Sequence, residues 1–230
     1  RAVAQGTTAF KSIEQIVASN SIINSLDYRS ITTDVTDTGN PIVKEGKALP
    51  ETSIILNESL VKLKKRGQIL SASYEAIQHQ RADVITVALS QIGNSLAKTQ
   101  LIDAVDLLLF GENSIPPADI IPTAANRYSY DDILELWSEF EDFEMNTLIA
   151  SPRTVRELMT LPEFRETSAG DKFVGTGTLM TPFGAKLIVT NAITDQYIVG
   201  MDHRFALEMV TTGGIQVEYD KLIDTQLERA

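Results

Sequence analysis

The sequence contains no cysteine among its 230 residues. This absence excludes disulfide bonds, thiolate nucleophiles and cysteine-ligated metal sites, and it fits a reducing cytoplasm. Histidine is also scarce, since only His79 and His203 occur. A histidine-rich metal site is therefore impossible, and a serine–histidine–aspartate triad would have to use one of these two residues.

Long apolar runs are missing as well. No stretch approaches the ~20 consecutive apolar residues that a membrane-spanning helix needs, and residues 1–10 lack the apolar centre of a signal peptide. We therefore expect a protein that does not contact a membrane. Because the chain opens with Arg1 rather than Met, we also expect that its natural start has been removed, either by design or by proteolysis.

Basic residues are outnumbered by acidic ones. Twenty lysines and arginines stand against thirty-one aspartates and glutamates, which gives a formal net charge of −11. This charge repels a phosphate backbone, so direct and tight binding of nucleic acid is disfavoured. With 43% hydrophobic residues, the chain can still bury the core of one large domain or two small ones.

The first third of the sequence predicts a helical arm followed by an unusually long hairpin. Apolar residues at helical spacing predict an amphipathic helix over roughly 8–26. Two extended stretches, 28–38 and 54–63, flank an excursion that contains glycine and proline, and 68–72 is predicted as a further strand. Ordinary hairpin loops have ~2–5 residues, and much longer ones are usually functional or bound to a partner.

A long helix is the main element predicted in the middle of the chain. Its apolar stripe runs from Arg81 to Phe110, and Gly111 stands where a C-terminal cap belongs. A continuous helix of this length spans about 45 Å, which exceeds the diameter of a small domain. We therefore expect it to act as a spine.

Proline-rich sequence after the spine indicates the start of a second region. Ser129, with Asp132 three residues later, predicts a capped helix that ends near Phe143. Ser151 predicts a second capped helix, which Pro162 stops. The rest predicts short strands at 185–190, 197–201, 205–210 and 215–219. Helices and strands are segregated rather than alternating, which indicates an α+β fold.

Sequence motifs for catalysis are scarce. Asp202 and His203 place a carboxylate beside an imidazole, but neighbouring side chains in a strand point to opposite faces, so a turn between strands is the favoured interpretation. The glycines at 170, 175, 177 and 184 lack the following helix of a phosphate cradle and predict a surface loop. Seven carboxylates are interpreted as the solvated face of one helix rather than a paired-acid catalyst: Asp131, Asp132, Glu135, Glu139, Glu141, Asp142 and Glu144. We expect no catalytic residue, no cofactor and no metal.

A series of segments covers nearly the whole chain in order: 43–52, 61–65, 69–75, 83–111, 130–134, 150–154, 184–189, 200–202 and 214–217. No single segment is specific. As an ordered series, they resemble the major capsid proteins of tailed bacteriophages, which have the Hong Kong 97-type fold.

The resemblance implies a division of the chain into five parts. Residues 1–28 would form an N-terminal arm, 29–66 an extended loop that lies across an adjacent subunit, and 67–111 a peripheral domain with the spine helix. Residues 112–203 would form an axial domain around the five-fold and six-fold axes, and 204–230 would return as strands to the peripheral domain. The chain start at Arg1 is similar to family members whose N-terminal scaffolding segment is cut off.

The resemblance also implies the partners of the protein. Copies would assemble as pentamers and hexamers into an icosahedral shell that encloses viral DNA without sequence-specific binding. Scaffolding, portal or decoration proteins are further partners that the resemblance allows. Assembly would take place in the cytoplasm of the bacterial host, and the product would be the virion.

Physical arguments support a hairpin that is buried by a second copy. An apolar ribbon with free edges is an association liability in a monomer, and pairing with a neighbour removes it. Basic residues at its root would contact acidic surfaces of adjacent subunits. The predicted contact residues are Glu45, Gly46, Lys47, Pro50, Lys62, Lys64, Lys65 and Arg66. This hypothesis requires that residues 38–56 do not fold back onto their own globule.

Two other functions remain open from the sequence alone. One is the shell protein of an encapsulin-type bacterial nanocompartment, which has the same fold. The other is a hydrolase that uses Asp202, His203 and a serine.

Overall fold

The structure is a computed structural model. It describes residues 13–25, 27–34, 45, 53–74, 82–112, 115–123, 127–166, 180–214 and 216–229. The predicted start of the arm helix, most of the hairpin loop including residues 38–44 and 46–52, His79, and the glycines at 170, 175 and 177 lie outside these residues.

A three-stranded sheet, here called the central sheet, lies between two hydrophobic cores. Its middle strand β5 (Thr147–Ala150) is buried along its whole length. Strand β6 (Lys186–Val189) pairs with it in parallel and β7 (Val199–Met201) pairs antiparallel, in the order β6-β5-β7. A strand that is covered on both faces has buried residues at successive positions, without alternation of apolar and polar residues.

The first core joins one face of the central sheet to the spine. Ile149, its ladder neighbours Ile188 and Val199, and Met201 belong to the same buried cluster as residues of the helix α1 (Ala82–Phe110). The buried spine residues include Ala97, Leu101 and Val105, which lie four residues apart and therefore on one side of the helix. A short helical turn at 13–16 completes this core with Ile13 and Ile16.

The second core covers the opposite face of the same sheet. Leu148 and Leu187 pack there against α2 (Tyr130–Ser138), α3 (Pro152–Leu158) and α4 (Pro162–Glu166). Gly200 shares this face, and a Cβ at this position would lie 2.6 Å from the sulfur of Met145. A larger residue at this position would require the Met145 and Leu136 side chains to shift.

Local signals predicted three of the helix boundaries. Ser129 and Asp132 form the predicted capping box, and the Ser151 hydroxyl accepts a hydrogen bond from the Thr154 amide. Gly111 ends α1 with φ 67°, and a side chain there would collide with the Ile115 carbonyl. These three predictions are confirmed.

The predicted end of α2 near Phe143 is wrong, because the helix stops at Ser138. Glu139, Glu141 and Asp142 follow, and the last turn contains no basic residue. Negative charge at a helix C-terminus opposes the helix dipole, which disfavours further turns.

The predicted arm helix over 8–26 is also wrong in its second half. The chain leaves the helical turn and forms β1 (Ser19–Ile22), which pairs in parallel with β8 (Glu208–Thr211). Serine and asparagine have low helix propensity. Strand β8 provides hydrogen-bond partners for the backbone groups of β1. The helical spacing of the apolar residues did not reveal this distant partner.

Two further sheets lie outside the central one. Strands β2 (Asp27–Asp34) and β3 (Ser53–Lys62) form an antiparallel hairpin. Strands β4 (Ser71–Ser73), β9 (Asp220–Leu222) and β10 (Leu227–Arg229) form a sheet in the order β4-β10-β9, here called the tail sheet. The strand predicted at 215–219 is therefore wrong, since residues 216–219 are irregular and the strands follow them.

Candidate functional site

The hairpin joins the rest of the chain at the start of β2, near Asp27, and at the end of β3, near Lys62. These two ends are here called the β2 root and the β3 root. The ladder of the hairpin runs from the pair Asp27–Lys62 at the roots to the pair Asp34–Ser53, with an irregularity between Arg29 and Ile31. Within the described ranges, its two strands pair with each other and with no third strand. Both outer edges of the ribbon therefore keep backbone groups available for another strand.

The predicted contact residues lie at the β3 root or in the loop of the hairpin. Lys62, Lys64, Lys65 and Arg66 are exposed at the end of β3, and Glu45 is exposed in the loop. The loop residues Gly46, Lys47 and Pro50 lie outside the described part of the chain.

Two of the four basic side chains bind acidic residues of their own chain. The Lys64 ammonium lies 2.7 Å from a Glu112 carboxylate oxygen, and an Arg66 guanidinium nitrogen donates to Asp103 at 2.6 Å. These pairs hold the segment after β3 antiparallel to α1. Lys62 and Lys65 form no ion pair with any described residue, so their charge remains available to a partner.

The β2 root is held by a glutamate that sequence analysis missed. Glu208, on β8, accepts a hydrogen bond from the Tyr28 hydroxyl at 2.5 Å and another from the Ser21 hydroxyl at 2.7 Å. The bond to Glu208, together with partial burial, raises the pKa of Tyr28 to about 12. No local pattern marks Glu208, because its partners lie about 180 residues earlier in the chain.

Asp202 and His203 do not form a catalytic pair. The Asp202 carboxylate is buried and binds the Arg204 guanidinium at 2.7 Å and the Asn146 amide at 2.7 Å. Nδ1 of His203 lies 2.7 Å from the side-chain oxygen of Asn146 instead. The bonds from Arg204 and Asn146 hold the pKa of Asp202 well below its usual range. This arrangement ties two loops together and favours a structural role over the hydrolase hypothesis.

The remaining sequence candidates occupy structural positions. Asp132 caps α2, and the other carboxylates of 131–144 are exposed. Gly184 has φ 91°, and its amide donates to Thr181 in a turn before β6. The described residues contain no cluster of acidic residues or histidines that could hold a metal ion. Among the described helices, none has the length and apolar character to cross a bilayer.

Several apolar side chains are exposed, and two groups of them lie close together. Phe143 and Phe205 form an edge-to-face pair with 5.6 Å between ring centroids, and Arg204 lies over the Phe205 ring. Beside the tail sheet, Tyr219 is 81% and Ile223 is 80% exposed. None of the tail-sheet residues is fully buried, although a small sheet usually needs one covered apolar face to be stable.

Comparison with known proteins gives a family match over most of the chain. A family profile described as "Phage capsid protein" matches residues 57–226. No curated protein sequence matches the chain.

Solved structures share the fold at low sequence identity. A chain from the "Capsid of native GTA particle computed with C5 symmetry" has a TM-score of 0.65 and 14% identity, with 97% of this chain and 84% of that chain covered. A chain from Microbacterium phage Oxtober96 has a TM-score of 0.62 and 12% identity, with 98% and 82% covered. A chain from Mycobacterium phage Che8 has a TM-score of 0.54 and 14% identity, with 99% and 82% covered. These likenesses confirm the expected α+β, Hong Kong 97-type fold.

Proposed function

This chain belongs to the phage capsid protein family and is a structural subunit of the virion shell, and we propose that its copies interlock through the β2–β3 hairpin to form an icosahedral shell around viral DNA. The family match favours a phage capsid over a nanocompartment shell. In this proposal the shell grows from pentamers and hexamers in the host cytoplasm, the subunit catalyses nothing, and the DNA is enclosed without sequence-specific contacts.

The hairpin is the observation that carries this proposal. It is a two-stranded ribbon that has a free edge on each strand within the described ranges. An isolated two-stranded ribbon is marginally stable in water, so it gains most from the surface of a neighbouring copy. The exposed residues beside the tail sheet are a second surface that a neighbour would complete.

Charge distribution supports contact between the hairpin and a neighbouring body. Residues 29–66 contain seven basic and five acidic residues, whereas residues 67–230 contain eleven basic and twenty-four acidic ones. Four of the seven basic residues lie at or just after the end of β3: Lys62, Lys64, Lys65 and Arg66. This end of the hairpin is therefore positive and is attracted to the strongly negative body of the next copy. Lys62 and Lys65 are the basic residues we propose for this contact, because Lys64 and Arg66 already bind Glu112 and Asp103.

The strand pairings support the proposed division of the chain. The strands of the tail pair with segments that precede residue 112, since β8 pairs with β1 and β10 pairs with β4. Strands β5, β6 and β7 of the central sheet all come from 112–203. We therefore propose an arm at 1–28, an extended loop at 29–66, a peripheral domain at 67–111 joined by 204–230, and an axial domain at 112–203.

Electron microscopy of the chain at increasing concentration tests the proposal. We expect closed particles from the unmodified protein. Lys65→Glu should raise the concentration needed for assembly severalfold, because it places a negative charge against an acidic neighbour. Lys98→Glu, an exposed spine lysine without an ion pair among the described residues, is the matched control.

Persistent monomers of the unmodified chain under all conditions would contradict the shell. Equal effects of Lys65→Glu and Lys98→Glu would contradict only the proposed role of the hairpin root.

A further inference from the structure

Three parts of the chain meet at the side chain of Glu208. The residue lies on β8, and its strand pairs with β1 of the arm. One carboxylate oxygen binds Ser21 of that arm, and the other binds Tyr28 of the hairpin. A single carboxylate therefore connects the arm, the hairpin and the C-terminal strands.

The bond to Tyr28 lies at the start of β2, where it affects the direction in which the hairpin extends from the body. Tyr28 is the second residue of β2, and the ladder continues from it to Asp34. Six residues of strand extend about 20 Å, so a rotation of about 10° at Tyr28 would move Asp34 by about 3.5 Å. A displacement of that size exceeds the tolerance of hydrogen bonds, which have donor–acceptor distances of about 2.7–3.2 Å.

The opposite side of the hairpin is held by longer and more flexible side chains. Lys64 binds Glu112 just after α1, Arg66 binds Asp103 on α1, and both ion pairs are solvent-exposed, as is the Tyr28–Glu208 bond. Exposed pairs between long side chains restrict geometry weakly. The Tyr28 ring has only two side-chain torsions, and its hydroxyl meets Glu208 at 2.5 Å.

We propose that Glu208 is a positioning residue for assembly, which fixes the angle at which the hairpin leaves the body so that a second copy meets it in the productive direction. This inference rests on the proposed function, because it assigns a role in the contact between copies. The bond to Ser21 holds the arm, and the bond to Tyr28 sets the hairpin angle.

Four substitutions separate these two roles. Glu208→Ala removes both bonds, Tyr28→Phe removes only the hairpin bond, and Ser21→Ala removes only the arm bond. Glu208→Gln retains polar atoms that can bind both hydroxyls. Glu218→Ala is the matched control, because Glu218 is an exposed glutamate of the tail without an ion pair among the described residues.

Hydrogen exchange on the unassembled chain gives the first readout. We expect Glu208→Ala and Tyr28→Phe to speed exchange of the amides in Asp27–Asp34 about tenfold, as loss of one hydrogen bond to a charged group predicts. Ser21→Ala and Glu218→Ala should leave these amides unchanged. Unchanged exchange in Tyr28→Phe would overturn the proposal, and this result does not depend on whether particles form.

Particle yield in electron microscopy gives the second readout. We expect Glu208→Ala and Tyr28→Phe to lower the yield of closed particles about tenfold at an unchanged thermal midpoint, and Glu208→Gln to restore most of it. A purely structural role would instead make Ser21→Ala as damaging as Glu208→Ala, which would overturn the proposal. If the unmodified chain forms no particles, the proposed function fails, whereas the exchange result still decides whether Glu208 fixes the hairpin.

Discussion

The central sheet and the tail sheet each have three strands, yet they differ in what covers them. Every residue of β5 is buried, with one hydrophobic core on each face. The tail sheet has no fully buried residue, and Tyr219 and Ile223 beside it are exposed. The first sheet is covered on both faces within one chain, whereas the tail sheet and the hairpin are the surfaces at which we propose that copies meet.

This difference predicts where single substitutions matter in the isolated chain. The largest effect is expected from Ile149→Ala, because this residue has no exposed surface and packs in the first core. Removing its side chain should lower the free energy of unfolding by about 2–5 kcal/mol. Urea denaturation measures this loss. The control Ile223→Ala, beside the tail sheet, should change the same quantity by less than about 0.5 kcal/mol, and similar losses in both variants would contradict the comparison.

The buried carboxylate of Asp202 should give the next largest effect. Asp202→Asn removes a charge-assisted contact with Arg204, and we expect a loss of about 1.5–3 kcal/mol at pH 7. The matched substitution Asp106→Asn, at an exposed spine position, should have little effect.

Asp202 should also make stability depend on pH. Its pKa is lowered in the folded chain, so its stabilising contribution is present above the unfolded pKa of about 3.9 and is lost as the pH falls below that value. The difference in unfolding free energy between the unmodified chain and Asp202→Asn should therefore shrink in acid. A difference that stays constant from pH 7 to pH 3 would show that the contact with Arg204 is not the cause.

A smaller effect is expected at Gly200, where the second core meets the central sheet. The Cβ of Gly200→Ala would lie 2.6 Å from the Met145 sulfur and 3.1 Å from Leu136. We expect a destabilisation of about 1–3 kcal/mol from overpacking. Gly214→Ala is the control, since a Cβ there has no neighbour within 4 Å. The thermal unfolding midpoints of the two variants should differ by several degrees. Equal midpoints would mean that Met145 and Leu136 shift to accommodate the added methyl group without loss of stability.

Sequence analysis succeeded where structure depends on neighbouring residues. The caps of α2 and α3 use a serine and an amide three residues later, and the end of α1 requires the positive φ of Gly111. It failed at β1, whose partner β8 lies almost 190 residues away. Local apolar spacing there indicated a helix, and only the ladder to β8 favours a strand.

The same limit applies to the candidate site. The hairpin could be predicted from two extended stretches around a long excursion, and the basic root from the cluster after β3. The ion pairs that engage Lys64 and Arg66 could not be predicted, because their partners Glu112 and Asp103 lie almost 40 or more residues later in the chain. Glu208 was missed for the same reason, since neither Ser21 nor Tyr28 is near it in the chain.

The sequence by itself determined the helix caps, the long spine, the α+β class and the resemblance to phage capsid proteins, because these depend on short-range patterns and their order. Only the tertiary structure decided that β1 joins β8, that Asp202 binds Asn146, and that Glu208 fastens the hairpin. Each of these contacts is made by polar or backbone groups brought together by folding. The two partners of each contact are close in space but far apart in the sequence, so the local sequence pattern does not reveal them.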